Sequence, residues 1–323
     1  MITEAFRHCH GIGPHRLAQL QCQGIRTWDD VLSQHHRVPH CVREVLLSEC
    51  RQASRALNDD DIAYFVERFH SSDRWRILHQ YFDEATFFDI ETTGLEYDSR
   101  ITVICTSHGG QCRAFVEDDN LDDFLDLLDD TRLLVSFNGS SFDVPRVLSG
   151  FHIPELPCPH IDLRWSCYHK GLPGSLKQIA ETIGIRRPDD LQDADGALAV
   201  ALWNDWVASG NVSSREHLIR YCSSDVLLLA CIARHVCGLP AEANPDLWKM
   251  LPEVNAPNRR TPPGPLVTAS EQLPSSDVAS ETRHSESAIT LDDTSPLDRK
   301  ALVAPLFGAA SPGQLRTLRR RRD

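Results

Sequence analysis

The sequence predicts an α/β protein: a mixed β-sheet flanked by helices, preceded by a small all-α region and followed by a disordered tail. Three observations carry this. In the middle of the chain, short apolar runs of strand length come first and then alternate with stretches of helical periodicity, the pattern of a mixed sheet with helices packed on it. The first part of the chain shows helical spacing broken by glycines. Beyond residue 251 the composition shifts: nine of the 19 prolines lie there, Cys and Trp are absent, and Ser and Thr recur. The expected divisions are a helical domain at 1–57, connecting helices at 58–84, a mixed domain at 85–240 and a tail at 251–323.

At 323 residues with 41% hydrophobic content, the chain can bury a sizeable core. The balance of 33 basic to 46 acidic residues gives −13, which excludes a protein that coats nucleic acid through an overall positive field. An enzyme whose acidic site binds a metal that then meets phosphate remains open. Eleven cysteines without a CxxC pair read as free thiols in a reducing cytosol, so a cytoplasmic location is expected. No stretch approaches the length needed to cross a bilayer, so no membrane partner is expected; protein partners are unknown.

In the N-terminal region, Gly11 to Pro14 form a glycine turn, and His15 to Gln21 carries Leu17 and Leu20 at helical spacing. Thr27 with Asp30 three residues on predicts a capping box for a second helix. A glycine turn feeding a helix N-terminus presents backbone N–H groups suited to phosphate, which makes Gly11 and Gly13 candidate nucleic-acid backbone contacts. The bland alternative is a tight turn between helices. Asp59, Asp60 and Asp61 suit the N-terminus of a connecting helix.

The mixed domain opens with the strand carrying FDIET, ended by a turn at Thr92 to Gly94. Asp89 and Glu91 are two apart, so a strand points both carboxylates to one face and Phe88 and Ile90 to the other. Such a pair either sits at a solvated strand edge or repels until a cation, usually a divalent metal, lies between. Ile101 to Cys105 and Cys112 to Val116 read as a meander around Gly109 and Gly110, Leu121 to Leu128 as a helix and Leu133 to Phe137 as another strand. The following FNGSSFDVP places Ser140 and Ser141 to cap a helix, Pro145 in its first turn, and Asp143 where a helix dipole favours an anion. Ile161 and Asp162 close a short strand; Ser175 to Ile183 and Ala194 to Val207 read as helices. In the last helix, about Ser214 to Val236, the apolar stripe Leu218, Cys222, Leu229, Ile232 and Val236 has Asp225 in its middle, with Tyr221 one turn before it. A carboxylate in a core-facing stripe is costly unless paired.

FDIET, FNGSSFDVP and Tyr221 with Asp225 at Y-x-x-x-D spacing occur in the order of the three exonuclease motifs of the DEDD superfamily, and the tyrosine resembles its DEDDy branch. The wording is similar to the proofreading exonuclease domain of family B polymerases. The first 240 residues, with the segment Ser175 to Lys177 and a helix-hairpin-helix-like start, resemble the YprB-type predicted exonucleases. The resemblance implies a ribonuclease H-like fold and a metal-dependent 3′-5′ exonuclease. It implies that Asp89, Glu91, Asp143 and Asp225 hold two Mg²⁺ or Mn²⁺ ions and that Tyr221 orients the attacking water. Backbone at Glu91 and Thr92 would receive the 3′-hydroxyl, and Asn138 and Phe142 would contact substrate, with Asp162 either supporting the site or simply ending a strand. With no basic groove visible in the sequence, the expected substrate is a short single-stranded DNA or RNA 3′ end. The alternative is a catalytically inactive nucleic-acid-binding module that uses the glycine turn and the basic cluster Arg316 and Arg319 to Arg322.

Overall fold

A computed structural model of the chain describes residues 1–96, 98–117, 119–241 and 247–251. The tail expected at 251–323 therefore lies outside the described residues, apart from Leu251. The N-terminal part holds α1 (Pro14–Cys22), α2 (Trp28–Ser33), α3 (His40–Asn58), α4 (Ile62–Arg68) and α5 (Arg74–Gln80). The capping box forms as the spacing predicts: the Asp30 amide donates to Thr27 Oγ1 at 3.2 Å, and the Thr27 amide donates back to Asp30 Oδ2 at 2.9 Å. Of the acidic triplet, Asp61 caps α4 by accepting from the Tyr64 amide at 3.0 Å. Gly11, at φ +80°, turns the chain in the left-handed region, and Gly13 is the N-cap of α1. The element before this turn is a single 3₁₀ turn, Ile2–Glu4.

The sheet contains β1 (Ala85–Thr92), β2 (Ile101–His108), β3 (Gln111–Val116), β4 (Leu133–Ser136) and β5 (His160–Asp162), in the order β3-β2-β1-β4-β5. The first three strands form the expected antiparallel meander, whereas β4 and β5 join in parallel. The helices here are α6 (Asp123–Asp130), α7 (Asp143–Gly150), α8 (Leu163–His169), α9 (Leu176–Thr182), α10 (Gly196–Ser209) and α11 (Val212–Cys237). The seven residues of α8, directly after β5, are too few to show a helical period in sequence. Both long helices end on glycines in the left-handed region, Gly210 and Gly238, each at φ +69°.

Alternation along the strands divides the core. Phe88, Ile90, Ile104 and Leu134 point to the side where Phe124, Leu128 and Val147 of α6 and α7 pack. Phe87, Val103, Cys105 and Val135 belong to the cluster on the other side, which includes Leu218, Cys222, Leu229, Ile232 and Val236 of α11 and runs on through Phe65, Leu46 and Trp28 of the N-terminal helices. The predicted stripe of α11 is buried throughout, but so are Val226, Leu227 and Leu228, so this helix is enclosed on most sides rather than lying on a surface. Among the described residues, no helix is long and apolar enough to cross a membrane.

Candidate metal centre

Strand β1 pairs with β4 only from Ala85 to Phe87, so beyond Phe87 the two strands no longer bond. On the other edge the register with β2 shifts between Glu91 and Thr92, a bulge beside the last acidic residue. Asp89 and Glu91 stand on this free end of β1 and, by alternation, face α11. Helix α11 brings Tyr221, Cys222 and Asp225 to the same place. Cys222 Sγ lies 3.7 Å from Asp89 Oδ2, and one ligand atom each from Asp89, Glu91 and Cys222 lie within 4.8 Å of one another.

Asp143 arrives from the turn after β4. Asn138 turns the chain at φ +63°, its amide donates to Asp162 Oδ1 at 2.8 Å, and the Ser140 amide donates to Asp162 Oδ2 at 3.1 Å. Asp162 also accepts from the Arg164 amide at 3.1 Å as the N-cap of α8, so one buried carboxylate fixes both the turn and the next helix. Gly139 is required by close approach: a Cβ there would lie 1.9 Å from Ser136 Oγ and 2.7 Å from Ser136 Cβ. The expected serine cap does not form. Phe142 is the N-cap of α7 and makes no side-chain cap, Ser141 Oγ donates back to the Asn138 carbonyl at 3.0 Å, and Asp143 is the first helical residue. The demand of the Asp162 carboxylate for backbone donors sets the turn instead.

Asp89 and Glu91 sense the carboxylates of Asp143 and Asp225. Burial pushes Asp89 well above the ordinary carboxylate range, and the charges of Asp143, Asp225 and Glu91 push the same way. Glu91 is raised by burial and then by Asp225. Asp143 is raised by burial to about 7, despite amide donors that favour its ionised form. Asp225 is raised by burial to about 6, with Arg187 opposing. Burial, then the charges of Asp225, Glu91 and Asp89, raise the Tyr221 phenol, so it keeps its proton at neutral pH. Cys222 is likewise raised by burial, and its thiol stays protonated.

A divalent cation fits this donor set: the hard oxygens of the half-buried Asp89 and Glu91, raised by burial and by the charges of buried Asp143 and Asp225, are what such an ion neutralises, while Cys222 adds one softer atom. Of the remaining expected positions, the Thr92 hydroxyl is committed to its own turn, donating to the Gly94 carbonyl at 2.6 Å. Asn138 Oδ1 accepts from Arg164 Nη1, and the Phe142 ring, half-buried, lies 3.9 Å beneath the Arg146 guanidinium. Gly11 and Gly13 belong to the N-terminal turn and contribute nothing to the carboxylate cluster. Sequence reasoning missed Arg187. Its guanidinium is ion-paired with Asp225, donates to the Ala194 carbonyl at 2.8 Å and lies 4.9 Å over the Tyr221 ring. The doublet Arg186–Arg187 before Pro188 carries no local sign that its second arginine turns inward.

Residues 86–237 match the family model of the RNase_H superfamily, and the mixed domain has the ribonuclease H-like fold. A solved structure of the family B DNA polymerase from the hyperthermophilic archaeon Pyrobaculum calidifontis is similar at 16% identity and a TM-score of 0.36, covering 47% of this chain and 27% of that one. The chain thus spans about a quarter of that polymerase, which it matches over 27% of its length. A comparison with curated proteins gives no match.

Proposed function

We propose that this chain is a metal-dependent 3′-5′ exonuclease that hydrolyses phosphodiester bonds at single-stranded nucleic-acid ends. What supports this reading is the pairing of Asp89 and Glu91 at the end of β1 with Cys222 of α11, one ligand atom of each within 4.8 Å of the others, in a ribonuclease H-like domain where the charges of Asp143 and Asp225 also raise Asp89. Asp89, Glu91, Asp143 and Asp225 would hold two Mg²⁺ or Mn²⁺ ions, which when bound supply a nucleophile at neutral pH and stabilise charge on the departing oxygen. Tyr221, still carrying its proton, orients the attacking water rather than deprotonating it. Backbone at Glu91 and Thr92 receives the terminal 3′-hydroxyl, Asn138 and Phe142 border the strand, and the turn at Gly11 and Gly13 takes backbone phosphate farther along.

A second reading, a nucleic-acid-binding module without catalysis, is favoured by the engagement of Asp225 with Arg187. One experiment separates the two. Purified protein is incubated with 3′- and 5′-labelled single-stranded oligonucleotides in Mg²⁺, Mn²⁺ or chelator. Release of mononucleotides from the 3′ end, dependent on metal and abolished in Asp89→Ala and Asp225→Asn, is the expected result. Binding without metal-dependent cleavage refutes the enzyme reading, and digestion that survives these substitutions refutes the site.

A further inference from the structure

Arg187 has more donors than partners. Its side chain is 6% exposed, Nη1 and Nη2 are spent on Ala194 and Asp225, and Nε is buried with no hydrogen-bond acceptor among the described residues. It comes from the irregular stretch between α9 and α10, and through Asp225 it attaches that stretch to α11. Beside it opens a cavity of about 280 Å³ whose walls include the cations Lys177, Arg186 and Arg187 and also the exposed acids Glu181 and Asp193. Lys177 Nζ donates to the Gln192 carbonyl at 2.5 Å, and its charge reaches Asp225. Three cationic side chains therefore gather against two acids next to Asp225, in a chain that is acidic overall.

We propose that Arg187, flanked by Lys177 and Arg186, binds a phosphodiester of single-stranded nucleic acid adjoining the one that is cut. This rests on the exonuclease reading and adds to it the anion subsite that the overall composition hides. Asp225 is the hinge of the inference, because two cations have a claim on it. When Asp225 turns to a divalent cation, Arg187 loses this carboxylate and stands, still charged, beside more positive charge in a desolvated place. Its planar fork then needs an anion, and the strand phosphate is one whose geometry a guanidinium matches with two parallel N–H donors. In the absence of substrate, the Asp225 pair holds the guanidinium beside the carboxylates and keeps Asp225 from facing the other acids uncompensated. Arg187 is on this account a substrate-binding residue and not only a structural counter-ion.

The test is a double-mutant cycle between protein and strand, on the full chain. Labelled single-stranded DNA and RNA oligonucleotides, each with one uncharged methylphosphonate at successive linkages, are bound in Ca²⁺ and read by fluorescence anisotropy; the same strands are cut in Mn²⁺. In the wild type, one linkage near the 3′ end should lose about tenfold or more in affinity when neutralised. Arg187→Gln should lose a similar factor on the unmodified strand and show no further loss at that linkage, and Arg187→Lys should fall between. Losses that multiply independently at every linkage overturn the proposal, because a purely structural role leaves the strand charges uncoupled from residue 187. Melting curves establish that each variant is folded. A wild type that binds but never cuts refutes the exonuclease reading, and the binding cycle still decides the Arg187 contact, so the two failures are distinguishable.

Discussion

Replacing Asp143 with Asn removes one charge from the pocket and keeps its shape. Burial holds the Asp143 carboxyl at about 7, against 3.8 for an ordinary aspartate. With about 1.4 kcal/mol for each pH unit between these values, ionising Asp143 in the folded, metal-free chain costs of the order of 4 kcal/mol relative to the unfolded chain. The sign follows from a raised carboxyl: the folded state binds the proton more tightly, so this contribution is whole below the unfolded value of 3.8 and is lost as the pH rises to about 7. Asparagine never carries the charge. In chelator at about pH 8 the Asn variant should therefore be more stable than the wild type, by about 1–3 kcal/mol once relaxation of the pocket is allowed for. That corresponds to a rise in Tm of several degrees, at about 2–4 °C per kcal/mol for a domain of this size. Near pH 4 the two proteins should melt together. Excess Mn²⁺ should raise the wild-type Tm at the higher pH, by about 2.7 kcal/mol at a hundredfold excess over Kd, and raise the variant far less. Scanning calorimetry at both pH values, with chelator and with Mn²⁺, measures all four quantities. A variant that is less stable than the wild type at about pH 8, or a gain of the same size at both pH values, would show that Asp143 is not a crowded, buried carboxyl awaiting a cation.

Two further substitutions test how the Asp143 turn is built. Gly139→Ala should cost about 1–3 kcal/mol and depress cleavage, since its Cβ cannot coexist with Ser136. Adding Ser136→Gly removes both clashing atoms and should return part of the loss, seen as non-additive unfolding energies in denaturant; equal losses with and without it would discount the clash. Asp162→Ala strips the acceptor from the amides of Asn138, Ser140 and Arg164, so it should cost about 1–3 kcal/mol and lower kcat through a loosened Asp143. Asp162→Asn, which keeps one acceptor oxygen, should lose less in both melting and turnover.

Much of this protein is written locally. The mixed sheet follows from runs of strand length alternating with helical spacing, and the Thr27–Asp30 box and the placement of Asp89 and Glu91 on one strand face need only neighbours to be inferred. Asp225 stood out because a carboxylate inside an apolar stripe demands a partner. The identity of that partner was not local. Arg187 comes from 38 residues before Asp225, in an irregular stretch with no periodicity to report its direction. The turn before α7 shows the same division: its serines have the composition of a cap, yet Asp162, 24 residues beyond Asn138, claims the backbone donors and leaves the serines no capping role. Composition likewise described an acidic chain and hid three cations gathered at one cavity. Periodicity and capping depend on residues a few positions apart, so the sequence alone determines them. Which buried charge meets which is decided by packing in three dimensions, because burial penalises any charge the fold leaves unanswered.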